Sequence, residues 1–398
     1  MAGAVSPYET AKGRRYRVRW RNAEHVQVER KGFATKKDAT LYLASVEVAV
    51  ARGEYVAPAA AKQTVGTLAP AWLESKRLAL KPSTFRTMAA AWQKYVEPRW
   101  GSVELGAVTT TAVRLWAGQL AAGTAQTDRT LGKLVDEVEA RPKSRTHVER
   151  CIGVLAGILD DAVSDQRIAA NRARGLHLGM SKVPKRRRYL SHAEVSRLAA
   201  AAGTPEHSTI VLLLAYCGLR WGELVGLRVR DVNLLRHRLE IRQNAVRVGA
   251  VVHVGTPKSR AGQRQVPFPS ILDKPLARQL QGRGPDDLLF SGADGDFIVA
   301  PKVSKGSSSW YLAAQQRAGI ERLTIHDLRH TAASLAISAG ANAKVVQRML
   351  GHASAAMTLD TYADLFEDDL DAVAKLLSER AAQESVGDLW AAASSAAK

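Results

Sequence analysis

Two breaks in the apolar pattern divide this chain of 398 residues into three segments. Residues 58–65 are rich in alanine and begin with proline, and residues 179–189 carry a proline within a run of basic side chains. Neither break has the periodic apolar residues with which a helix or a strand buries one face. Because a single core rarely organises a chain this long, we predict three domains, over residues 1–57, 66–178 and 190–398.

The first segment is predicted to be a small β-sheet backed by one helix. Apolar and basic residues alternate with period two over residues 16–20, and the alternation resumes over residues 25–29. Residues 35–52 then carry apolar side chains at helical spacing. Thr35, which stands three residues before Asp38, is the predicted cap of this helix.

One face of this sheet would present arginines to a polyanion. The first 37 residues hold ten basic side chains against three acidic ones, and the whole chain has a formal net charge of +19. Such a balance favours nucleic acid as the partner. An ordinary solvated charged face is the alternative, whereas membrane binding is disfavoured because the sequence has no lipidation signal and no helix with a clustered basic face. The candidate DNA contacts are Arg14, Arg15, Arg17 and Arg19.

The second segment is predicted to be a compact helical bundle, and it contains no chemical motif. Its helical spacing covers residues 67–76, 83–96, 110–121, 130–139 and 144–164. The run Lys185, Arg186, Arg187 and Arg188 follows it, and we expect these side chains to track DNA phosphates. A nuclear localisation signal is the other interpretation of this run.

The cellular setting follows from cysteine usage and from the apolar runs. Cys151 and Cys217 lie far apart in sequence and form neither a disulfide framework nor a CxxC metal site. No apolar run is long enough to span a bilayer, and the N-terminus has no signal core. We therefore expect a soluble protein of the bacterial cytoplasm, associated with the nucleoid and not with a membrane.

The third segment carries five short motifs, of which the first two supply an arginine and a lysine. Gly218 ends an apolar helix, and Arg220 stands at the start of the next helix, where backbone N–H groups favour an anion. Three strands are then predicted over residues 239–242, 250–254 and 263–268, with Lys258 in the turn between the second and the third. A lysine on a hairpin tip is usually only solvated, so its partners decide its meaning.

The remaining motifs supply two histidines, an arginine and a tyrosine. His326 and Arg329 are three residues apart and share a helix face, and His352 follows a Leu-Gly pair ten residues before Tyr362. Zinc binding by His326 and His330, which are four residues apart, is the rival interpretation. It is disfavoured because an arginine stands in the same turn and an aspartate replaces the glutamate of the helical HExxH motif.

Taken in order, these residues closely resemble the catalytic constellation of the tyrosine recombinases, the family of phage integrases and chromosome-dimer resolvases. The resemblance covers residues 188–377. It implies a multidomain, mainly α protein with small β-sheets: an arm-type DNA-binding domain at the N-terminus, a helical core-binding bundle, and a mostly α catalytic domain with a three-stranded meander. The matching residues are Arg220, Lys258, His326, Arg329, His352 and Tyr362.

The resemblance also implies a mechanism. Tyr362 would attack a phosphodiester to give a 3′-phosphotyrosine and a free 5′-hydroxyl, which a partner strand's hydroxyl then reverses. Arg220 and Arg329 would bind the non-bridging oxygens, and His352 would donate to the phosphate. His326 would act as the base and Lys258 would protonate the leaving 5′-oxygen. No ATP, metal or other cofactor is expected, since one phosphoester replaces another and the positive groups surround the phosphate.

Partners are implied in the same way: double-stranded DNA with core-type and arm-type sites, a homotetramer in the synaptic complex, a host bending protein and a directionality factor. The apolar stripe of Phe366, Leu370, Val373 and Leu377 describes a tail helix that docks either on the neighbouring protomer or on its own domain. Three other functions compete with recombination: relaxation by a type IB topoisomerase, DNA binding by a regulator that has lost catalysis, and cleavage by a metal-dependent nuclease.

Overall fold

A computed structural model of the chain describes residues 3–11, 13–21, 26–51, 55–130, 140–180, 188–256, 260–304, 306–362 and 369–383. The chain separates into two compact units, Met1–Val183 and Pro184–Lys398. The first unit contains two separate hydrophobic clusters, one in the sheet segment and one in the helical segment. The division into three domains stays a prediction.

The N-terminal segment forms the predicted sheet and helix. Strands β1 (Ala4–Thr10), β2 (Gly13–Arg21) and β3 (Gln27–Phe33) are antiparallel in the order β1-β2-β3, and α1 (Lys36–Ala51) follows. Thr35 caps this helix, because its hydroxyl accepts from the Asp38 amide at 3.1 Å. Strand β1 was not predicted, since Pro7 interrupts its pattern. Proline is tolerated there because β1 is an edge strand.

Alternation along β2 separates its two faces. Val18 and Trp20 are buried against Ala39, Leu43 and Val46 of α1. The residues between them therefore point away from α1. This sheet is covered by α1 on one face and presents arginines on the other.

The helical segment is organised around buried tryptophans. Trp72, Trp92, Trp100 and Trp116 all belong to one cluster, and the rings of Trp100 and Trp116 pack edge to face with centroids 5.8 Å apart. The predicted helix over residues 130–139 falls almost wholly outside the described residues. The helices are α2 (Pro58–Ala61), α3 (Val65–Ala79), α4 (Pro82–Ala91), α5 (Glu97–Trp100), α6 (Thr110–Ala122) and α7 (Arg145–Ser164), with a π-helical turn at Trp92–Val96.

The second unit is built around α9, whose side chains are buried from Thr209 to Ala215 and at Cys217. Helix α13 packs against α9, and α14 packs against both α13 and α15. A capping box formed by Ser191 and Glu194 opens α8. The helices are α8 (His192–Ala200), α9 (Pro205–Cys217), α10 (Trp221–Gly226), α11 (Asp273–Leu280), α12 (Trp310–Arg317), α13 (Asp327–Ser338), α14 (Ala343–Leu350), α15 (Ala355–Tyr362) and α16 (Asp369–Gln383).

The strands of this unit divide between two sheets instead of one meander. Strands β4 (Val232–Asn233), β5 (Arg238–Ile241) and β8 (Arg264–Pro267) form a three-stranded antiparallel sheet. Strands β6 (Asn244–Val248) and β7 (Val251–Gly255) form a separate hairpin. The predicted first and third strands therefore pair with each other directly, and the hairpin is an insertion between them. Within the described residues, no helix is long and apolar enough to cross a membrane.

Candidate active site

The junction of α9 and α10 presents Arg220. Gly218 ends α9 in the left-handed conformation (φ 64°), and a Cβ at this position would lie 2.6 Å from a methyl of Leu350. Glycine is therefore needed both for its backbone angle and for the close approach of α14. Arg220 is the N-cap residue of α10, as predicted, and its side chain is 41% exposed.

Glu223 holds Arg220 in place. This carboxylate is buried, accepts from the Arg220 amide at 3.0 Å and accepts from Nη1 of Arg220 at 2.7 Å. Burial alone would raise the pKa of Glu223. The hydrogen bonds and charge of Arg264, together with the Arg220 amide and guanidinium, outweigh it and hold the pKa below its ordinary value. The carboxylate is thus ionised and orients the exposed guanidinium.

Arg264, on β8, is the second partner of Glu223. Its Nη2 donates to Oε2 of Glu223 at 2.9 Å, and its Nη1 donates to Oε1 at 3.2 Å. Its Nε donates to the carbonyl of Met349 at 2.7 Å. Arg264 therefore ties the β8 strand and the end of α14 to the carboxylate that positions Arg220.

Arg329 is a buried cation, only 3% exposed, on the first turns of α13. Its Nη1 donates to the Gly218 carbonyl at 2.5 Å, and its Nη2 donates to the Leu350 carbonyl at 2.6 Å. Burial, reinforced by the charge of Arg220 and opposed by that of Glu223, lowers the pKa of Arg329 to about 9. The group still carries its charge at neutral pH.

Three arginines meet at the C-terminal end of α14. The carbonyl of Met349 accepts from Arg264, that of Leu350 accepts from Arg329, and that of Gly351 accepts from Nη2 of Arg220 at 3.5 Å. The last carbonyls of a helix lack partners within the helix and carry the negative end of its dipole. The end of α14 is therefore the point on which the cationic residues of the site converge.

His352 follows directly after this helix end and is buried. Its Nδ1 and the hydroxyl of Thr358 are hydrogen bonded at 2.9 Å, and its amide donates to the Gln347 carbonyl at 3.1 Å. Burial lowers the pKa of His352 to about 4, and the neighbouring charge of Arg329 acts in the same direction. The imidazole is neutral at physiological pH in the free protein.

Tyr362 ends α15, one helical turn after Thr358, and is 1% exposed. Its ring belongs to a cluster that includes Ile337 and Leu350. Its hydroxyl is joined to Nδ1 of His330 by a hydrogen bond of 2.8 Å. In the sequence His330 is a candidate zinc ligand only, and its contact with the tyrosine arises from the fold.

His326 lies at the N-terminal end of α13 and packs edge to face against His330, with ring centroids 5.1 Å apart. Across the residues that the structure describes, no three His, Cys, Asp or Glu side chains are grouped as metal ligands.

Arg188 is the one residue of the predicted basic run that lies within the described residues, and it pairs with Glu194 and Glu321 at 3.1 and 2.8 Å. Lys258 lies outside the described residues, as do Lys185, Arg186 and Arg187 of the basic run.

Comparison with known proteins shows which family the C-terminal part of the chain resembles. A model described as the phage integrase family matches residues 188–368, which include every described residue of the constellation. This part of the chain belongs to the phage integrase family. The recombinase is 28% identical over 298 residues to the prophage phiRv2 integrase of Mycobacterium tuberculosis, an alignment that covers 74% of this chain and 72% of the relative. It is a tyrosine-type site-specific recombinase.

Solved structures support the fold. The recombinase superimposes on the Tn1549 transposon integrase, solved with a circular intermediate DNA, with a TM-score of 0.60 and 21% identity over 79% of this chain and 99% of the other. It superimposes on a lambda integrase tetramer bound to a Holliday junction with a TM-score of 0.51 and 16% identity, over 87% and 95% of the two chains. The predicted mainly α fold with small sheets is confirmed.

The candidate DNA contacts of the N-terminal sheet lie on two different faces of strand β2. Arg15, Arg17 and Arg19 occupy alternate positions of β2 and share the face opposite α1. Arg14 falls on the other alternation and pairs with Glu9 at 3.0 Å. Glu29 of β3 pairs with Arg17 at 3.6 Å and Arg19 at 3.3 Å. The open face therefore presents positive charge organised around one carboxylate.

Four residues of the site have no predicted role: Glu223, Arg264, His330 and Thr358. Glu223, His330 and Thr358 lie within a few residues of predicted site residues, whereas Arg264 lies in the predicted strand 263–268. One signal for Arg264 was available, since it is a charged residue at the start of a strand whose next residue but one, Val266, is fully buried. A charged side chain on the buried face of a strand indicates a partner of opposite charge.

Proposed function

We propose that Tyr362 is the nucleophile of this recombinase and forms a covalent 3′-phosphotyrosine with DNA. The observation that carries the proposal is electrostatic. Tyr362 packs in one cluster with Leu350, whose carbonyl accepts from the buried Arg329 guanidinium at 2.6 Å, and the charge of an ionised Tyr362 would act to raise the pKa of Arg329. A tyrosine hydroxyl has an ordinary pKa of about 10, so a nearby fixed cation favours the phenolate character that attack requires.

Arg220 and Arg329 are proposed to bind the scissile phosphate. A guanidinium has five N–H donors, and the two bonds from Arg329 to carbonyls leave other donors for the non-bridging oxygens. Arg220 has an exposed side chain oriented by Glu223, so it needs little reorganisation when the phosphate arrives. Preorganised donors of this kind stabilise the charge that grows on the oxygens in the transition state.

His352, Lys258 and His326 complete the proposed site. Thr358 is able to donate to Nδ1 of His352, which leaves the ring proton on Nε2 for a bond to the phosphate. Lys258 is proposed to protonate the leaving 5′-oxygen, because a flexible ammonium is able to follow it. The resemblance assigns removal of the tyrosine proton to His326. The bond between His330 and Tyr362 makes His330 a second candidate for that role.

The test is covalent capture without metal. A pool of nicked suicide duplexes with a randomised core is incubated with the protein in EDTA, so that the protein selects its own site, and covalent complexes are separated under denaturing conditions. We expect a covalent band with wild type and none with Tyr362→Phe. A band that persists in the variant, or cleavage that requires a divalent metal, would contradict the proposal.

Two DNA addresses are proposed for the recombinase. The arginine face of the N-terminal sheet would bind arm-type sites, while the basic run Lys185, Arg186, Arg187 and Arg188, together with the helical segment, would follow DNA beside the core-type site. The charge of the open β2 face supports the first assignment. Arg188 forms ion pairs with Glu194 and Glu321. A DNA phosphate would compete with these carboxylates for the guanidinium, so Arg188 contributes to DNA binding only if its side chain rearranges.

Assembly is proposed to be a homotetramer on DNA, aided by a host bending protein and a directionality factor. The tail helix α16 supports docking on a neighbouring protomer, because its described side chains, Ala374, Lys375 and residues 377–382, are all exposed. Leu377 of the predicted apolar stripe is 64% exposed. Phe366 lies outside the described residues, and the side chains of Leu370 and Val373 are not described.

A further inference from the structure

We propose that His330, rather than His326, accepts the proton of the Tyr362 hydroxyl as this hydroxyl attacks DNA. The inference rests on the proposed role of Tyr362 as nucleophile. It changes the assignment that the family resemblance suggests, and it makes His330 a catalytic residue that touches the reacting oxygen.

The geometry places His330 at the reacting atom. Its Nδ1 lies 2.8 Å from the Tyr362 hydroxyl, which is a normal hydrogen-bond distance and within the reach that a general base requires. The two rings also pack edge to face, with centroids 5.7 Å apart. His330 sits on α13, one turn after His326, and Tyr362 is held at the end of α15 by buried apolar contacts. Both partners are therefore fixed by packed helices.

His330 lies among other basic side chains. The ring of His326 packs against it at 5.1 Å, and His352 is close enough for the two histidines to influence each other electrostatically. The adjacent residue along α13 is Arg329, whose guanidinium binds two carbonyls. The ring of His330 therefore contacts both the ring of His326 and the ring of Tyr362.

The proton inventory of the step balances. Neutral His330 carries its proton on Nε2 and accepts the tyrosine proton at Nδ1 while the bond between the tyrosine oxygen and phosphorus forms. The bond from phosphorus to the 5′-oxygen breaks, and that oxygen takes a proton from Lys258. In the rejoining step His330 returns its proton to the departing tyrosine oxygen. An imidazole, with an ordinary pKa of about 6.5, is suited to both directions at neutral pH.

The experiment compares His330→Asn with the matched variant His326→Asn. The side-chain amide of Asn places a hydrogen-bonding atom near the position of Nδ1 but does not accept a proton. Single-turnover cleavage of the captured suicide duplex is measured for both variants, and urea unfolding checks that each folds. We expect His330→Asn to slow cleavage by roughly 10²–10⁴-fold, the usual contribution of a general base, and to lose more than His326→Asn.

A second substrate distinguishes a defect in removing the tyrosine proton from a defect in protonating the leaving oxygen. A duplex whose scissile 5′-bridging oxygen is replaced by sulfur has a leaving group that needs no proton. We expect Lys258→Ala to recover on this substrate and His330→Asn to stay slow. The proposal is overturned by recovery of His330→Asn on the sulfur substrate, or by cleavage at or above the wild-type rate, which would mean that the bond only holds the tyrosine at rest. Covalent product with Tyr362→Phe would instead refute the proposed nucleophile.

Discussion

At the scale of single residues, Arg329 shows how the site is prepared before DNA arrives. The guanidinium is buried, and its two described bonds go to backbone carbonyls from α14 and from the end of α9. Burying a cation is costly unless hydrogen bonds compensate for the lost water. Arg329 therefore joins the two helix ends of the site, and its charge is available to the phosphate from a fixed position.

Arg329→Lys is expected to be damaging although it keeps the charge. One ammonium does not reproduce the planar fork that reaches the Gly218 and Leu350 carbonyls. We expect a loss of about 2–4 kcal/mol in the free energy of unfolding and a roughly 10²–10³-fold slower covalent cleavage. Urea unfolding and suicide-substrate kinetics measure the two effects.

Arg220→Lys is the control for this comparison. Its side chain is 41% exposed, and Glu223 keeps Arg264 as a second partner. The free energy of unfolding should fall by about 1 kcal/mol or less, because the lysine keeps a positive charge at a partly exposed position and the buried Glu223 stays paired with Arg264. Equal destabilisation in the two lysine variants would show that the buried carbonyl bonds of Arg329 are not what stabilises the site.

The lowered pKa of His352 makes the free energy of unfolding depend on pH. Its pKa is about 4 in the folded protein, against an ordinary value near 6.5. Between these values the unfolded chain binds the extra proton, so stability rises with pH in this window and is lost as pH falls through it. We expect this one group to remove about 2–3 kcal/mol between about pH 7 and about pH 4.5.

His352→Asn isolates that contribution. The amide keeps a partner for Thr358 but does not titrate, so urea unfolding of this variant should depend less steeply on pH than that of wild type. Protonation of the buried Glu223 also destabilises the folded protein on acidification, because the pKa of this carboxyl is lowered in the folded state. This contribution is present in both wild type and the variant. Parallel pH profiles would be inconsistent with a neutral, buried His352.

At the scale of elements, the C-terminal end of α14 depends on Gly351. This residue is left-handed (φ 66°), and a Cβ would lie 2.9 Å from the Ala261 carbonyl and 3.0 Å from Nη1 of Arg264. Gly319 has nearly the same angle (φ 64°) with no atom within 4 Å of such a Cβ. Alanine substitutions at these two glycines therefore distinguish the free-energy cost of the left-handed backbone angle from the cost of the close contact with Ala261 and Arg264.

Gly319→Ala should cost about 1 kcal/mol in the free energy of unfolding, from the backbone angle alone. Gly351→Ala should cost about 1 kcal/mol more. It should also slow covalent cleavage by roughly tenfold or more, because it displaces Arg264 and the start of the His352 segment. Thermal or urea unfolding and cleavage kinetics of both variants provide the check. Identical behaviour of the two would argue against tight packing at the end of α14.

The tail helix α16 makes a prediction about assembly. If Leu377 docks on a neighbouring protomer, Leu377→Asp should leave the unfolding of the free protein within about 0.5 kcal/mol of wild type, as expected for an exposed position. It should weaken tetramer formation on DNA, seen by native gel or light scattering. Leu235→Asp is the control, since Leu235 is 97% exposed in the same unit. Marked destabilisation of free Leu377→Asp would favour docking on its own domain.

At the scale of the whole molecule, the positive charge is distributed over segments with different tasks. The net charge of +19 attracts DNA in general and does not choose a sequence. In the second unit, arginines are committed to carbonyls and to Glu223, whereas on the N-terminal sheet they lie on an open face. The two units should therefore respond differently to loss of charge.

Arg17→Ala combined with Arg19→Ala should weaken binding to arm-type DNA and lower the slope of log affinity against log salt by roughly 2. Cleavage at the core site should be unchanged. Arg14→Ala is the matched control, because Arg14 falls on the other alternation of β2. Fluorescence anisotropy at several salt concentrations measures both. An equal effect of Arg14→Ala would show that the open face is not the binding surface.

The sequence by itself determined the chemical groups and most of the elements. Helical spacing predicted α1, α3, α6 and α7 within a few residues, and local residue chemistry predicted the helix start at Thr35 and the helix end at Gly218. These features depend on residues three or four apart, whose mutual positions are set by the geometry of one helix. The order of the motifs was then sufficient to indicate the family.

Only the tertiary structure decided which groups meet. Arg329 and the Gly218 carbonyl are 111 residues apart in sequence, and His330 and Tyr362 are 32 apart. The pairing of β5 with β8 around the inserted hairpin is equally non-local. Such contacts arise from the packing of α9, α13 and α14 and leave no periodic trace along the chain. For this reason the sequence motifs were sufficient to predict Tyr362 as the nucleophile, whereas the hydrogen bond between its hydroxyl and His330 is seen only in the folded protein.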